Sequence, residues 1–171
     1  FDAAQIDDHL DPATVPTVVV MNPPFSVLAN VEGRIADAAY RHLASALARL
    51  ADGGRLVAIT GANFGPDMPA WRDAFVRRGR VVFTAAVHGP VYAKPGTTVE
   101  PRLTVLDKIP ADDPLSFPAS PGTAPDIATL MTWIAEHVPP RLALAPAVQV
   151  MPISAAPRTV RGYLARTAAT S

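Results

Sequence analysis

The residues best suited to chemistry follow an apolar run near the start of the chain. Residues 17–21 form this run, and Asn22-Pro23-Pro24-Phe25 comes directly after it. An apolar, β-branched run closed by two prolines predicts a buried strand that stops abruptly, because proline cannot continue a ladder. Two consecutive prolines also stiffen the backbone, so the Asn22 side chain and the proline carbonyls are held at the carboxyl end of the strand. In open α/β sheets, ligands bind at that edge.

The pattern on the far side of this tetrapeptide predicts a βαβ unit. Residues 32–51 carry alanine, leucine and isoleucine at three- and four-residue spacings, which predicts an amphipathic helix that ends at Asp52-Gly53-Gly54. Residues 55–60 predict a second buried strand. The tetrapeptide is therefore expected at the carboxyl edge of the first strand of the unit.

The tetrapeptide resembles the catalytic motif (Asp/Asn/Ser)-Pro-Pro-(Tyr/Phe/Trp) of the S-adenosylmethionine-dependent methyltransferases that act on adenine N6. The resemblance implies that Asn22 and the carbonyl of Pro23, held in the rigid turn with Pro24, accept hydrogen bonds from the target amine. Such acceptors stabilise the positive charge that develops on nitrogen during methyl transfer. Phe25 would stack on the target base after it leaves the duplex. The implied cofactor is S-adenosylmethionine, and the implied partner is DNA.

The rest of the pattern predicts how the sheet closes. Residues 80–87 and 102–108 predict two further strands, and no helix fits between them, so they should pair antiparallel. Class I methyltransferases have the strand order 3-2-1-4-5-7-6. The resemblance implies that this α/β chain supplies strands four to seven of a partial Rossmann-like sheet, a mixed parallel sheet with an antiparallel closing hairpin.

The cofactor side of the family pattern departs from this sequence. Class I enzymes hold the methionine part of the cofactor on a Gly-x-Gly loop, and this chain contains no Gly-x-Gly. Asp2 matches the acidic residue after the family's third strand, which faces the adenine of the cofactor, and Asn22 would also contact the cofactor. We therefore expect the C-terminal half of a methyltransferase, inactive by itself.

A second resemblance lies in the long loop of the closing hairpin. Residues 89–103 are similar to the hairpin of the methylase domain fused to strawberry-notch-type helicases. This similarity implies a helicase domain as a possible partner in a longer chain, although the sequence has no Gly-x-x-x-x-Gly-Lys-(Ser/Thr) phosphate loop. Tyr92 and Lys94 are candidate contacts to the strand that carries the extruded base.

Composition narrows the classes of function. The 171 residues suffice for one ordinary core. Basic and acidic residues number 15 each, which gives no net attraction to nucleic acid and weighs against DNA binding by this segment alone. The absence of cysteine excludes disulfides and thiolate metal sites, and no metal site is expected. No apolar stretch is long enough to span a bilayer, so a cytoplasmic location is expected.

The predicted domain organisation changes after residue 109. Residues 1–109 are assigned to the methyltransferase half, and residues 110–171 to a proline-rich linker, one helix at about 126–137 and an extended arm. If the family's first three strands are absent, strand 17–21 has a free edge. We expect that edge to be covered by the arm or by another chain, such as a second copy.

Two other interpretations of the motif remain open. The same tetrapeptide serves RNA methyltransferases and enzymes that methylate a glutamine amide on release factors, because an amide nitrogen poses the same activation problem. A third interpretation is a non-catalytic methyltransferase-like module that binds nucleic acid or a partner domain. The missing glycine loop favours this last alternative for the chain as it stands.

Overall fold

The described part of the chain folds as an open, mixed α/β sheet with helices on both faces. The computed structural model describes residues 11, 13–23, 36–62, 64–67, 71, 75, 77–92, 100–113 and 115–144. The strands are Val18–Met21 (β1), Arg55–Gly61 (β2), Arg80–Val87 (β3), Pro101–Asp107 (β4) and Thr123–Ala124 (β5). The helices are Ala36–Arg49 (α1), Gly89–Tyr92 (α2) and Ile127–His137 (α3). The strand order is β1-β2-β4-β3-β5.

β1 and β2 form the parallel pair that the sequence predicts. The register places Met21 opposite Ala58, and α1 lies in the connection between the two strands. The chain reverses after α1 at Gly53, whose φ of +76° is a left-handed conformation that glycine adopts without a Cβ clash. The expectation of adjacent parallel strands at 17–21 and 55–60 is therefore confirmed.

β3 and β4 form the predicted antiparallel pair, and β4 is inserted between β2 and β3. A bulge between Val81 and Phe83 interrupts the ladder. The order β1-β2-β4-β3 is the order 4-5-7-6 that the resemblance implies. The predicted fold class, a mixed sheet with an antiparallel closing hairpin, is confirmed.

Two short elements differ from the expectations. The segment between β3 and β4 was expected to hold no helix, yet it begins with the single turn α2. β5 lies in the segment predicted as a linker and pairs parallel with β3, with Ala86 opposite Thr123. Neither element carries an extended apolar run or a helical periodicity, so the sequence pattern did not reveal it.

The predicted C-terminal helix is confirmed as α3. Asp126 caps it, and its carboxylate accepts a hydrogen bond of 2.7 Å from the backbone N–H of Thr129. α3 packs on the sheet beside β3 and β5 through Leu130 and Trp133. No helix among the described residues is both long and apolar enough to cross a membrane.

The sheet separates two apolar clusters. On the first face, which we call the α1 face, Leu43 and Leu47 of α1 and Leu50 directly after it are 1% exposed and pack on β2. This face also buries a group of aromatic rings: Phe64, Trp71 and Phe75, with Tyr40 and Phe117 partly buried beside them. On the second face, the α3 face, α3 covers β3 and β4. The two clusters hold the strand ends in fixed positions.

The segment after α3 crosses the edge of the sheet at which β1 and β2 begin and β4 ends; we call this the strand-start edge. The guanidinium of Arg55 donates to both carboxylate oxygens of Asp107, at 2.7 and 2.9 Å, and to the carbonyl of Pro139 at 2.8 Å. Arg141 donates to the carbonyl of Thr17 at 3.3 Å. Residues 139–144, here called the strap, are thereby fixed along this edge.

β1 lies at the edge of the sheet and carries exposed apolar side chains. Val20 is 76% exposed and Val18 is 39% exposed. Among the described residues, β1 pairs only with β2, and Arg141 of the strap contacts only the residue before β1. The cover expected for this edge is not found in the described ranges, and residues 145–171 of the predicted arm lie outside them. The division of the chain at residue 109 stays a prediction.

Candidate active site at the carboxyl edge of the sheet

The predicted catalytic loop begins at the edge where β1, β2 and β3 end and β4 begins; we call this the motif edge. β1 and β2 are parallel, and β4 runs antiparallel to both β2 and β3, so the ends of β1, β2 and β3 meet at one edge. Asn22 follows β1 immediately and is exposed, whereas Pro23 is buried. The buried proline anchors the loop, and the preceding amide side chain lies at the surface.

The structure brings part of the predicted site together. Asn22 and Pro23 lie at the motif edge, and α2, which ends at Tyr92, starts two residues after β3 at the same edge. β3 is three strand spacings from β1, or about 14 Å, so α2 begins on the far side of the edge from Asn22.

The remaining predicted site residues cannot be placed. Asp2, Pro24, Phe25 and Lys94 lie outside the described residues, as does the side chain of Tyr92. Their roles in cofactor binding, catalysis and base stacking stay predictions.

His88 is the first residue after β3 and lies at the motif edge as an exposed side chain. Its backbone N–H donates to the carbonyl of Ala124 at 3.0 Å, which extends the pairing of β3 with β5. His88 therefore has a backbone role at the end of the strand. Among the described residues, no group of three histidine, aspartate or glutamate side chains is placed to hold a metal ion.

Close-packed aromatic rings support the motif edge from the α1 face. Phe64, three residues beyond the end of β2, stacks on Tyr40 with ring centroids 5.9 Å apart and contacts Trp71 edge-on at 6.0 Å. Burial raises the pKa of the Tyr40 phenol, because desolvation disfavours the phenolate. Stacked and edge-to-face pairs of this kind each add about 0.5–1.5 kcal/mol beyond the area they bury.

The sequence interpretation missed a polar cluster on the same face. Thr60, Thr84 and Thr104 are at most 3% exposed and lie on the neighbouring strands β2, β3 and β4. The hydroxyls of Thr60 and Thr104 are 2.8 Å apart, and Arg102 donates to the hydroxyl of Thr84 at 3.1 Å. The sequence carried a signal of this cluster. Arg102 and Thr104 are polar residues at alternate positions of β4, and their neighbours in the strand are apolar.

Comparisons with known proteins return only distant similarities. No protein-family model and no curated protein matches the sequence. A candidate class I S-adenosylmethionine-dependent methyltransferase from Listeria monocytogenes is similar in structure, with a TM-score of 0.49 and 13% identity over 74% of this chain and 43% of that chain. A candidate DNA modification methylase from Thermus thermophilus, complexed with S-adenosyl-L-methionine, has a TM-score of 0.41 and 20% identity. That match covers 64% of this chain and 53% of the other.

These similarities are too distant to assign an activity to this chain. The chain spans about half the length of the solved structures that it resembles. Its topology and its motif therefore have to carry the functional argument.

Proposed function

We propose that this chain carries the amine-activating loop of an S-adenosylmethionine-dependent methyltransferase that acts on adenine N6 of DNA. The observation that carries the proposal is the position of Asn22-Pro23 directly after β1, at the carboxyl edge of a parallel pair. The strand order β1-β2-β4-β3 supports it, because the resemblance in the motif implies that order.

The chemistry required of the chain is the activation of a weak nucleophile. The lone pair of an exocyclic adenine amine is delocalised into the ring. Hydrogen bonds from that amine to the Asn22 amide oxygen and the Pro23 carbonyl favour lone-pair density on nitrogen and stabilise its developing positive charge. The cofactor, when bound, supplies the electrophilic methyl group. With the cofactor bound, the new bond would join nitrogen to the methyl carbon as the carbon–sulfur bond breaks, and the amine proton would leave to solvent.

The local structure suits this role because the acceptors are held before substrate arrives. β1 is fixed by its pairing with β2, and Pro23 is buried, so the position of Asn22 is set by the core and not by the ligand. Acceptors fixed in advance need little reorganisation during the reaction. Asn22 is exposed at an edge where a polar cofactor and an extruded base can reach it, which fits the cofactor that the motif implies.

The decisive test replaces Asn22 by Ala in the longest natural polypeptide that contains this sequence. We expect single-turnover methylation of an adenine-containing duplex to fall by about 100- to 1000-fold, with DNA binding at one fixed salt concentration nearly unchanged. Asn22→Asp should keep much of the activity, because the motif admits Asp at this position. Asp52→Ala, an exposed change at the strand-start edge, is the matched control.

Methylation by Asn22→Ala at the parental rate would show that the motif is only a turn. The 171-residue chain itself should neither bind S-adenosylmethionine tightly nor methylate DNA, because its sequence has no Gly-x-Gly loop. Robust transfer of a labelled methyl group to DNA by this chain alone would contradict that expectation.

A second candidate substrate is a glutamine amide of a protein, which presents the same activation problem. The balance of 15 basic and 15 acidic residues favours this alternative, because the chain has no net attraction to a polyanion. Parallel assays with duplex DNA, RNA and a glutamine-containing peptide separate the candidates. Methylation of the peptide alone would replace the DNA proposal.

A further inference from the structure

Arg102 is a half-buried cation at the motif edge for which the described residues supply no counter-charge. Its guanidinium donates to the Thr84 hydroxyl at 3.1 Å, and its Nε, like that of Arg80, is buried with no hydrogen-bond partner among the described residues. Among the ion pairs between described residues, none includes Arg102. Arg55 and Arg80, by contrast, each contact a carboxylate. A guanidinium that is partly removed from water is stabilised by an anion beside it.

Buried hydroxyls hold this arginine at both ends. The Thr60 hydroxyl lies 3.2 Å from the carbonyl of Arg102 and donates its single proton to it, so the Thr104 hydroxyl donates to Thr60 at 2.8 Å. Thr84 accepts from the guanidinium at the other end. The threonines therefore place polar groups in the core, and their hydrogen bonds orient one cation. Apolar side chains in the same volume would pack without any hydrogen bond to the arginine.

The strand register places Arg102 level with the catalytic motif. β1 pairs Met21 with Ala58, and β2 pairs Thr60 with Arg102. Pro23 lies two residues beyond Met21, and Thr60 lies two residues beyond Ala58. Pro23, Thr60 and Arg102 are therefore at the same position along the direction of the strands. The backbone of Arg102 is thus two strand spacings, or about 10 Å, from the motif, and its guanidinium extends from there towards Thr84 of β3.

We propose that Arg102 binds an anionic group of the substrate, a phosphodiester of the strand that carries the target base. This inference rests on the proposed function, because it takes nucleic acid as the substrate. Guanidinium binds phosphate with paired N–H donors, and its contact fixes the backbone while Asn22 engages the base. Arg102 then acts as a positioning residue, separate from the group that activates the amine.

The test compares Arg102→Gln with Arg80→Gln in the longest natural polypeptide that contains this sequence. Arg80 is the matched control, because its guanidinium contacts Asp112 and it lies at the start of β3, away from the motif edge. We expect Arg102→Gln to weaken duplex binding by roughly 10- to 100-fold and to lower the slope of log affinity against log salt by about 1. Single-turnover methylation at subsaturating DNA should fall in step with the lost affinity, and Arg80→Gln should bind and methylate like the parent.

Two outcomes would overturn the proposal. Parental affinity and salt slope in a folded Arg102→Gln would show that the arginine is structural. Loss of S-adenosylmethionine affinity with DNA affinity unchanged would assign the anion to the carboxylate of the cofactor.

Folding and the proposed function are controlled separately. If Arg102→Gln does not fold, the test uses Arg102→Lys, because lysine keeps the positive charge but lacks the planar guanidinium with its paired N–H donors. Weaker DNA binding by Arg102→Lys supports the proposal, and DNA binding equal to that of the parent contradicts it. Binding is measured without cofactor. A parent protein that binds DNA but does not methylate adenine would therefore refute the proposed function while the Arg102 comparison still stands.

Discussion

The two edges of the sheet use arginine in opposite ways. At the strand-start edge, Arg55 has 9% of its side chain exposed and meets Asp107 through two hydrogen bonds, with the carbonyl of Pro139 as a third acceptor. At the motif edge, the described residues offer the Arg102 guanidinium one acceptor, the neutral hydroxyl of Thr84. An internally neutralised cation stabilises the fold, whereas a cation without an internal anion is suited to bind one. The same residue type therefore identifies one edge as structural and the other as a candidate site.

The largest effect that would sharpen this comparison is expected from Asp107→Ala. The change leaves Arg55 buried without its anion, and removing one partner of a buried ion pair typically costs about 3–5 kcal/mol of unfolding free energy. Chemical denaturation measures the loss. Limited proteolysis should also cut the strap after Arg141 faster, because Arg55 helps to fix it.

A substitution at the motif edge, Arg102→Gln, is the control for this prediction. Arg102→Gln should lose far less stability than Asp107→Ala, because no ion pair is broken. Equal losses in the two variants would remove the distinction between the edges.

A smaller effect is expected from alanine at Gly53. Its φ of +76° is left-handed, and an added Cβ would lie 3.4 Å from Leu144 of the strap. A non-glycine residue in this conformation costs about 1–2 kcal/mol. Gly61 ends β2 at the motif edge, has no positive φ and has nothing within 4 Å of the position of an added Cβ, so Gly61→Ala is the matched control. Thermal unfolding of both variants measures the difference, and equal midpoints would contradict the assignment.

The smallest effect concerns the pH dependence of α3. Hydrogen bonds from the Thr129 backbone N–H and hydroxyl hold the pKa of Asp126 below its ordinary value. A carboxyl whose pKa is lower in the folded than in the unfolded protein stabilises the fold above its unfolded pKa, and that contribution is lost as the pH falls through the folded pKa.

Asp126→Asn tests this dependence while keeping a good N-cap residue. The variant should match the parent in thermal stability near neutral pH and lose less stability between about pH 5 and pH 2. Asp52→Asn, at a 95% exposed side chain, is the control. Parallel pH profiles for parent and Asp126→Asn would show that the cap does not titrate in this range.

Sequence patterns predicted the elements that carry an apolar run or a helical periodicity and missed β5 and α2. β3 was predicted at its observed bounds, and α3 to within one residue, because a buried strand and an amphipathic helix each repeat a periodic pattern over several residues. β5 has two residues, and α2 is a single turn. β5 is defined by hydrogen bonds to β3, which is distant in sequence, and α2 is a turn that follows the end of β3. Neither feature produces a local pattern in the sequence.

The candidate site likewise has one part that the sequence pattern revealed and one part that it did not. The motif at Asn22 and Pro23 could be found from the sequence, because a strand closed by prolines is a local pattern. The threonine cluster left only the alternating polar residues of β4 as a signal, since Thr60, Thr84 and Arg102 become neighbours through pairings of β2 and β3 with β4.

The sequence by itself determined the strands β1 to β4, the helices α1 and α3, the position of the motif at a strand end and the antiparallel closing pair. These features follow from side-chain periodicity and from the backbone limits of proline and glycine, which act over a few residues. Only the tertiary structure decided which arginine is neutralised, because Arg55 meets Asp107 across 52 residues of sequence and Pro139 across 84. Charge compensation depends on which strands lie side by side, and that arrangement is a property of the whole sheet.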